Sequence, residues 1–187
     1  IDPATSSIKT LMVISSLVAG GVLEPIWLII NKFQIRINVS ALSCIIIAVV
    51  VYLIATFLYL KALEKNDATI IIVMYQLIPV FSYMLAWLIF DETLSLRQII
   101  GGLIIISAAI IISLDFNSNV KNGKLVALIM MVASSFLCSL YYIFFEFAMQ
   151  KAEYNIVSFW YQAVLFIIGI ILILIKSYRQ EFLEMIR

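Results

Sequence analysis

Apolar residues run through this chain in long blocks rather than in alternating or narrow stripes. Six blocks, near Leu11–Ile30, Ala41–Leu60, Thr69–Phe90, Gln98–Leu114, Leu125–Met149 and Val157–Ile175, are separated by short polar breaks. Their lengths approach the roughly 20 residues that an α-helix needs to cross a hydrocarbon core. A barrel strand would be about half as long and would alternate. Without water in the bilayer core, an isolated run must satisfy its own backbone polar groups, which a helix does. The pattern predicts an all-α, polytopic helical membrane protein with six transmembrane helices.

The polar breaks carry start and stop signals. Asn66 and Asp67 offer an N-cap for the third span, and Ser95-x-x-Gln98 has the form of a capping box opening the fourth. The longest break, Asp115 to Lys124, holds Asn117, Ser118, Asn119, Asn122 and Gly123, and marks a joint between two structural units. From Lys176 to Arg187 charges alternate with Tyr178, Phe182 and Ile186 at near-helical spacing, which suits a short interfacial helix. The chain begins Ile1-Asp2-Pro3, with no methionine and no charged leader ahead of a cleavage site, and reads as part of a longer protein. With six crossings both ends share one side. That side carries Lys9, Lys61, Lys65, Lys121, Lys124, Lys176, Arg179 and Arg187, and the other carries Lys32, Arg36, Arg97 and Lys151, an excess that favours the first side as cytoplasmic.

Composition sharpens the class. Hydrophobic residues make up 65% of the chain and charged ones 12%, more apolar surface than a soluble domain of this size can hide. Twelve Lys and Arg against 11 Asp and Glu leave a formal charge of +1, and no basic face points to nucleic acid. Histidine is absent, which excludes imidazole metal sites, the commonest general base and a histidine pH switch. Cys44 and Cys138 sit inside apolar blocks and read as packing residues, with a disulfide as the other reading. Neither a Ser nucleophile motif nor paired carboxylates within a span support an enzyme, and no phosphate-binding loop or cofactor motif is present.

A charge at the bilayer centre costs roughly 2.5–3.5 kcal/mol on insertion scales, so polar groups inside the blocks are the candidates for function. Glu24 stands beside Pro25, whose missing N–H frees the Gly21 carbonyl, with Gly20 adjacent. A buried carboxyl titrates nearer neutral pH, which suits a proton or cation site, whereas a carboxylate near the span's end could simply snorkel. Pro79 repeats the device in the third span, where it frees the Tyr75 carbonyl beside Gln76. Transporters line polar cavities with interrupted helices of this kind, although kinks also serve packing. In the sixth span Trp160, Tyr161 and Gln162 form a further cluster, read either as a ligand cage or as an interfacial aromatic belt. Glu146 lies close enough to its span's end to reach headgroups. Asp91, Glu92 and Arg97 read as loop pairing or capping, and Gly101 with Gly102 as a place for close helix approach. Ala62 to Gln76 also echoes Ala148 to Gln162, with Ala62/Ala148, Lys65/Lys151, Ile70/Ile156, Tyr75/Tyr161 and Gln76/Gln162 identical, in the opposite orientations that an inverted repeat requires.

Three strings carry a family resemblance. Tyr59-Leu60-Lys61-Ala62-Leu63 followed by a polar turn with Ala68, the Pro-centred stretch from Pro79 to Leu88, and Asp91-Glu92-Thr93-Leu94-Ser95-Leu96-Arg97-Gln98 followed by Gly101 resemble the EamA-type branch of the drug/metabolite transporter superfamily. The resemblance covers Tyr59 to about Leu114, and Gly123 to Ile175 is similar to the start of that family's second repeat. It implies a five-plus-five inverted-repeat transporter fold around a central substrate cavity. Residues 1–114 would be four helices of the first repeat, 115–124 the inter-repeat loop, and 125–187 two helices of the second with the interfacial tail. The first helix and the last three would be missing, and the chain's start would be extracellular, against the charge count. Glu24 followed by Lys32 and Phe33 also resembles the first helix of the four-helix small multidrug resistance proteins, in which the acid is the proton and drug site.

The function expected from these readings is a secondary transporter, working as an exporter of small metabolites or drug-like compounds by alternating access across the plasma membrane. A non-transporting membrane scaffold or lipid-binding protein is the alternative. Expected partners are the lipid bilayer, a small-molecule substrate and a coupling proton or cation; a homo-oligomer is compatible, and no cofactor, metal or nucleic acid is implied. Candidate cavity or coupling residues are Glu24, Tyr75, Gln76, Pro79, Tyr161 and Gln162.

Overall fold

The computed structural model describes residues 8, 10–18, 21, 25, 28, 35–65, 68–93, 95–113, 121–176 and 178–180. Among them the regular structure is helical throughout, with no strand. Residues 10–18 form a first helical segment. It is followed by α1 (Val39–Leu63), α2 (Ala68–Tyr75), α3 (Leu77–Phe90), α4 (Leu96–Ser113), α5 (Lys121–Met149) and α6 (Tyr154–Leu174).

Four stretches are long and apolar enough to cross a membrane: Val39–Leu63, Ile70–Phe90, Leu125–Met149 and Tyr154–Leu174. The apolar run Leu96–Ala108 in α4 is shorter than that. Large side chains such as Trp87, Leu88, Leu103, Ile104 and Ile111 are exposed, as apolar groups are when the solvent is lipid. Helix α5 begins at Lys121, within the polar string 115–124. Asn66, Asp67 and residues 114–120 lie outside the described residues.

The contacts divide the chain into two units. In the unit made of 1–50 and 144–187, α1 buries Ala41, Ile45, Ala48 and Val49, a helical spacing that puts one face inward. Trp160 Nε1 donates to the Ile35 carbonyl at 2.9 Å, and Lys151 Nζ donates to Ser40 Oγ at 2.6 Å. Trp160 is thereby tied to backbone. Gly169 of α6 faces the first helical segment: a Cβ there would lie 3.0 Å from Ser16 Cβ and 3.3 Å from Leu17 Cδ2.

The unit made of 51–143 is organised on one face of α5. Ala127, Met131, Ser134, Ser135, Cys138, Ser139 and Ile143 are all buried, stepping along the helix by three or four residues. Against them pack Ala55 and Ala62 of α1, Ile71 and Met74 of α2, and Leu77 and Ile78 of α3. The capping box forms as its spacing predicts: Ser95 N donates to Gln98 Oε1 at 2.8 Å, and Gln98 N points back at Ser95 Oγ at 3.4 Å. Asp91 ends α3 in the left-handed region, with φ 52°.

Candidate functional site

The third apolar block, one membrane-length stretch from Ile70 to Phe90, is interrupted at a single residue, Gln76, whose backbone stays in the right-handed helical region (φ −67°, ψ −5°). Helix α2 ends at Tyr75, Gln76 forms a turn whose N–H donates to the Val73 carbonyl at 3.1 Å, and α3 starts at Leu77. Pro79 therefore sits in the first turn of α3, where its missing N–H is least costly, and the Tyr75 carbonyl loses its i+4 donor.

Neighbouring helix α5 meets this break with hydroxyls. Ser135 Oγ donates to the Met74 carbonyl at 3.2 Å. Ser139 Oγ lies 3.0 Å from the Ile78 carbonyl and 2.9 Å from the carbonyl of Ser135, one turn back on its own helix. One residue earlier, Ser134 Oγ donates to the Ala55 carbonyl of α1 at 2.8 Å. Three fully buried hydroxyls thus bind backbone on both sides of the break and on α1. A buried donor left unmade costs far more than a made one returns, so these serines are held to their carbonyls.

Phenols surround the same place. The Tyr75 hydroxyl lies 3.7 Å from Cys138 Sγ, and its ring sits 5.2 Å from that of Tyr59 in a tilted pair. Tyr52, one heptad before Tyr59 on α1, pairs with Tyr141 of α5 at 5.4 Å, and Tyr141 pairs with Tyr142 at 4.8 Å. Thr56 lies between Tyr52 and Tyr59 on the same face and caps its own Tyr52 carbonyl at 2.9 Å. Tyr75 and Tyr142 remain open, at 37% and 52% exposure, so the cluster is not sealed. Its groups can hydrogen-bond or stack on a solute, and none is a nucleophile poised beside a base.

Of the candidates read from sequence, Tyr75, Gln76 and Pro79 stand together at this break. Gln76 is exposed and points no described hydrogen bond back into the unit. Tyr161 and Gln162 belong to the other unit. There Tyr161 is buried against the Phe145 ring at 5.8 Å, and Gln162 Oε1 is buried without a hydrogen-bond partner among the described residues. Glu24 lies outside the described residues. Both cysteines are free, Cys138 buried and Cys44 half-buried. No group of three metal-ligating side chains occurs among the described residues.

Sequence reading missed Ser134, Ser135, Cys138 and Ser139. Small polar residues within an apolar helix look like packing, and only the four-residue step from Ser135 to Ser139 hinted at a shared face. Tyr52, Thr56 and Tyr59 carried a clearer signal, a polar stripe at heptad spacing on a helix otherwise apolar.

In comparison with known proteins, residues 3–114 match the model of the EamA-like transporter family. No curated protein and no solved structure matches the chain.

Proposed function

Because the chain belongs to the EamA-like transporter family, a family of membrane transporters, we propose that it moves small metabolites or drug-like compounds across the plasma membrane by alternating access, as a secondary exporter. Six crossings and membership of a five-plus-five inverted-repeat fold are part of that reading, as is a proton or cation coupled through Glu24.

The observation that carries it is the hydroxyl-bound break between α2 and α3, with Tyr75 at its edge. A helix that must tilt during transport needs a point where backbone bonds can be exchanged at small cost. Interhelical hydrogen bonds of this kind average about 0.6 kcal/mol in membranes, so Ser135 and Ser139 can hold the break in one state and release it in another. Tyr75 meets only a weak partner in the Cys138 thiol, which a polar group of the solute can replace. Tyr59 offers a ring face beside it. Loading would thus trade a thiol contact for a solute contact next to the hinge, which couples occupancy to the angle of the helix.

The test is uptake of a metabolite panel into vesicles holding the purified chain, with and without a proton gradient, for wild type and Glu24→Gln. Saturable uptake whose proton dependence is lost in the variant supports a coupled carrier. Unchanged proton dependence removes Glu24 from the mechanism. Absence of saturable flux for every metabolite class favours the non-transporting scaffold.

A further inference from the structure

A second feature of the 51–143 unit lies on the α4 side of α3, where Pro79 lines it too. Between α3 and α4 a groove of about 330 Å³ is lined by Val80, Tyr83, Arg97, Gln98, Gly101 and Gly102. That volume is at the low end of the roughly 300–1,000 Å³ typical of small-molecule sites.

The two glycines make the groove. A Cβ on Gly101 would meet nothing within 4 Å, and one on Gly102 would only touch Val80 Cγ2 at 4.0 Å. They do not bring two helices into close approach; they leave a notch. It is one turn deep, because the positions a turn away from Gly101 are Arg97 and Ile105, both large. The positions four before and four after the two glycines are Arg97, Gln98, Ile105 and Ile106, so the small-xxx-small spacing of a close helix pair is absent at the notch. A slender flexible chain fits such a notch.

The polar end supplies the rest. Arg97 is exposed in the first turn of α4, at the polar end of the groove. It makes no hydrogen bond or ion pair among the described residues. Asp91 and Glu92 precede it in the loop without lining the groove or pairing with it. The Gln98 carbonyl oxygen is occupied by Ser95, which leaves its amide N–H₂ to point a donor outward. On the same two helices Met84, Trp87 and Leu88 of α3 and Leu103 and Ile104 of α4 are exposed apolar side chains. A guanidinium with no counterion among the described residues, above an apolar notch, complements one class of molecule in a bilayer, an amphiphile with an anionic head.

We propose that the notch between α3 and α4 is a binding site for an anionic phospholipid, its phosphate on Arg97 and an acyl chain lying over Gly101 and Gly102. Pro79 lines the groove as well as the break, but the lipid site is argued from Arg97, Gly101 and Gly102, none of which the transport reading uses.

The experiment is native mass spectrometry of the full chain released from nanodiscs of equal parts phosphatidylglycerol and phosphatidylcholine, comparing wild type, Arg97→Gln, Arg97→Lys and Gly101→Leu, each checked for helicity. Wild type retains phosphatidylglycerol several-fold over phosphatidylcholine. Arg97→Gln brings the retained ratio to that of the bilayer, Arg97→Lys keeps most of the preference, and Gly101→Leu lowers the amount retained although the charge is intact. Arg36→Gln, which removes a cation that does not line the groove, leaves the ratio alone. Equal retention in wild type and Arg97→Gln overturns the proposal. So does a dimer in the wild-type spectrum that Gly101→Leu abolishes, which would assign the notch to a second copy of the chain. If Gly101→Leu does not fold, the two Arg97 variants decide alone.

Discussion

A serine hydroxyl inside an apolar helix must give its proton to something, and in lipid the choice is a carbonyl of its own helix or of a neighbour. Ser134 and Ser135 choose the neighbour, and Ser139 divides its proton between the two. Ser139→Ala is expected to cost about 0.6 kcal/mol and no more than about 1.7, the range for interhelical bonds in membranes, because the Ile78 carbonyl keeps its place in α3. Replacing Ser134 with Leu is a different matter. Its side chain is fully buried against α1, and overpacking there is expected to cost about 1–3 kcal/mol. Unfolding in micelles by a denaturing detergent ranks the two, and an equal effect would contradict the packing described. Asp91 gives a further residue-scale outcome. With φ at 52°, Asp91→Gly should leave stability unchanged or raise it, whereas Asp91→Val should lower it by about 1–2 kcal/mol in the same assay. The turn chemistry around it was only partly legible. The Ser95–Gln98 box could be read because its two partners lie on one short string, while the left-handed turn at Asp91 depends on where α3 stops, which no local residue announces.

At the scale of elements, proline was the legible signal and glycine was not. Pro79 marked a break in the third block, and the structure puts that break at Gln76, three residues earlier, since proline fits the first turn of a new helix better than the middle of an old one. Gly101 and Gly102 read as a close-packing pair, yet the glycine that admits a close neighbour is Gly169, against Ser16 and Leu17. Whether a missing side chain meets a helix or open space depends on the partner face, and the sequence of one helix does not hold that information. Gly169→Leu is expected to destabilise by about 1–3 kcal/mol through the crowding of Ser16 and Leu17, while Gly101→Ala is expected to be neutral or stabilising. Thermal unfolding followed by helical circular dichroism compares them, and a larger loss from Gly101→Ala would reverse the account. The two thiols offer an independent check. Maleimide in detergent should label half-buried Cys44 well before Cys138, which is 4% exposed and packed with Ala55 and Ile78.

For the whole molecule, class was legible and site was not. Block lengths and an apolar share of 65% marked an integral membrane protein, and the strings from Tyr59 to Gly101 marked the family before any contact was known. Function in a carrier lies in which polar groups from separate helices meet. Tyr75 was visible beside its proline, but its companions Tyr59, Cys138, Ser135 and Ser139 come from helices distant in sequence, and no spacing rule links them. In the carrier reading the solute is held at the break, on Tyr75. The concentration dependence of uptake into vesicles, measured for wild type, Tyr75→Phe and Tyr75→Leu at equal reconstituted helicity, tests it most directly. Loss of a hydroxyl bond worth about 0.5–1.5 kcal/mol predicts a KM raised roughly 2- to 13-fold in Tyr75→Phe, and more in Tyr75→Leu, which also removes the ring. An unchanged KM in both variants would contradict the claim and move the site away from the break.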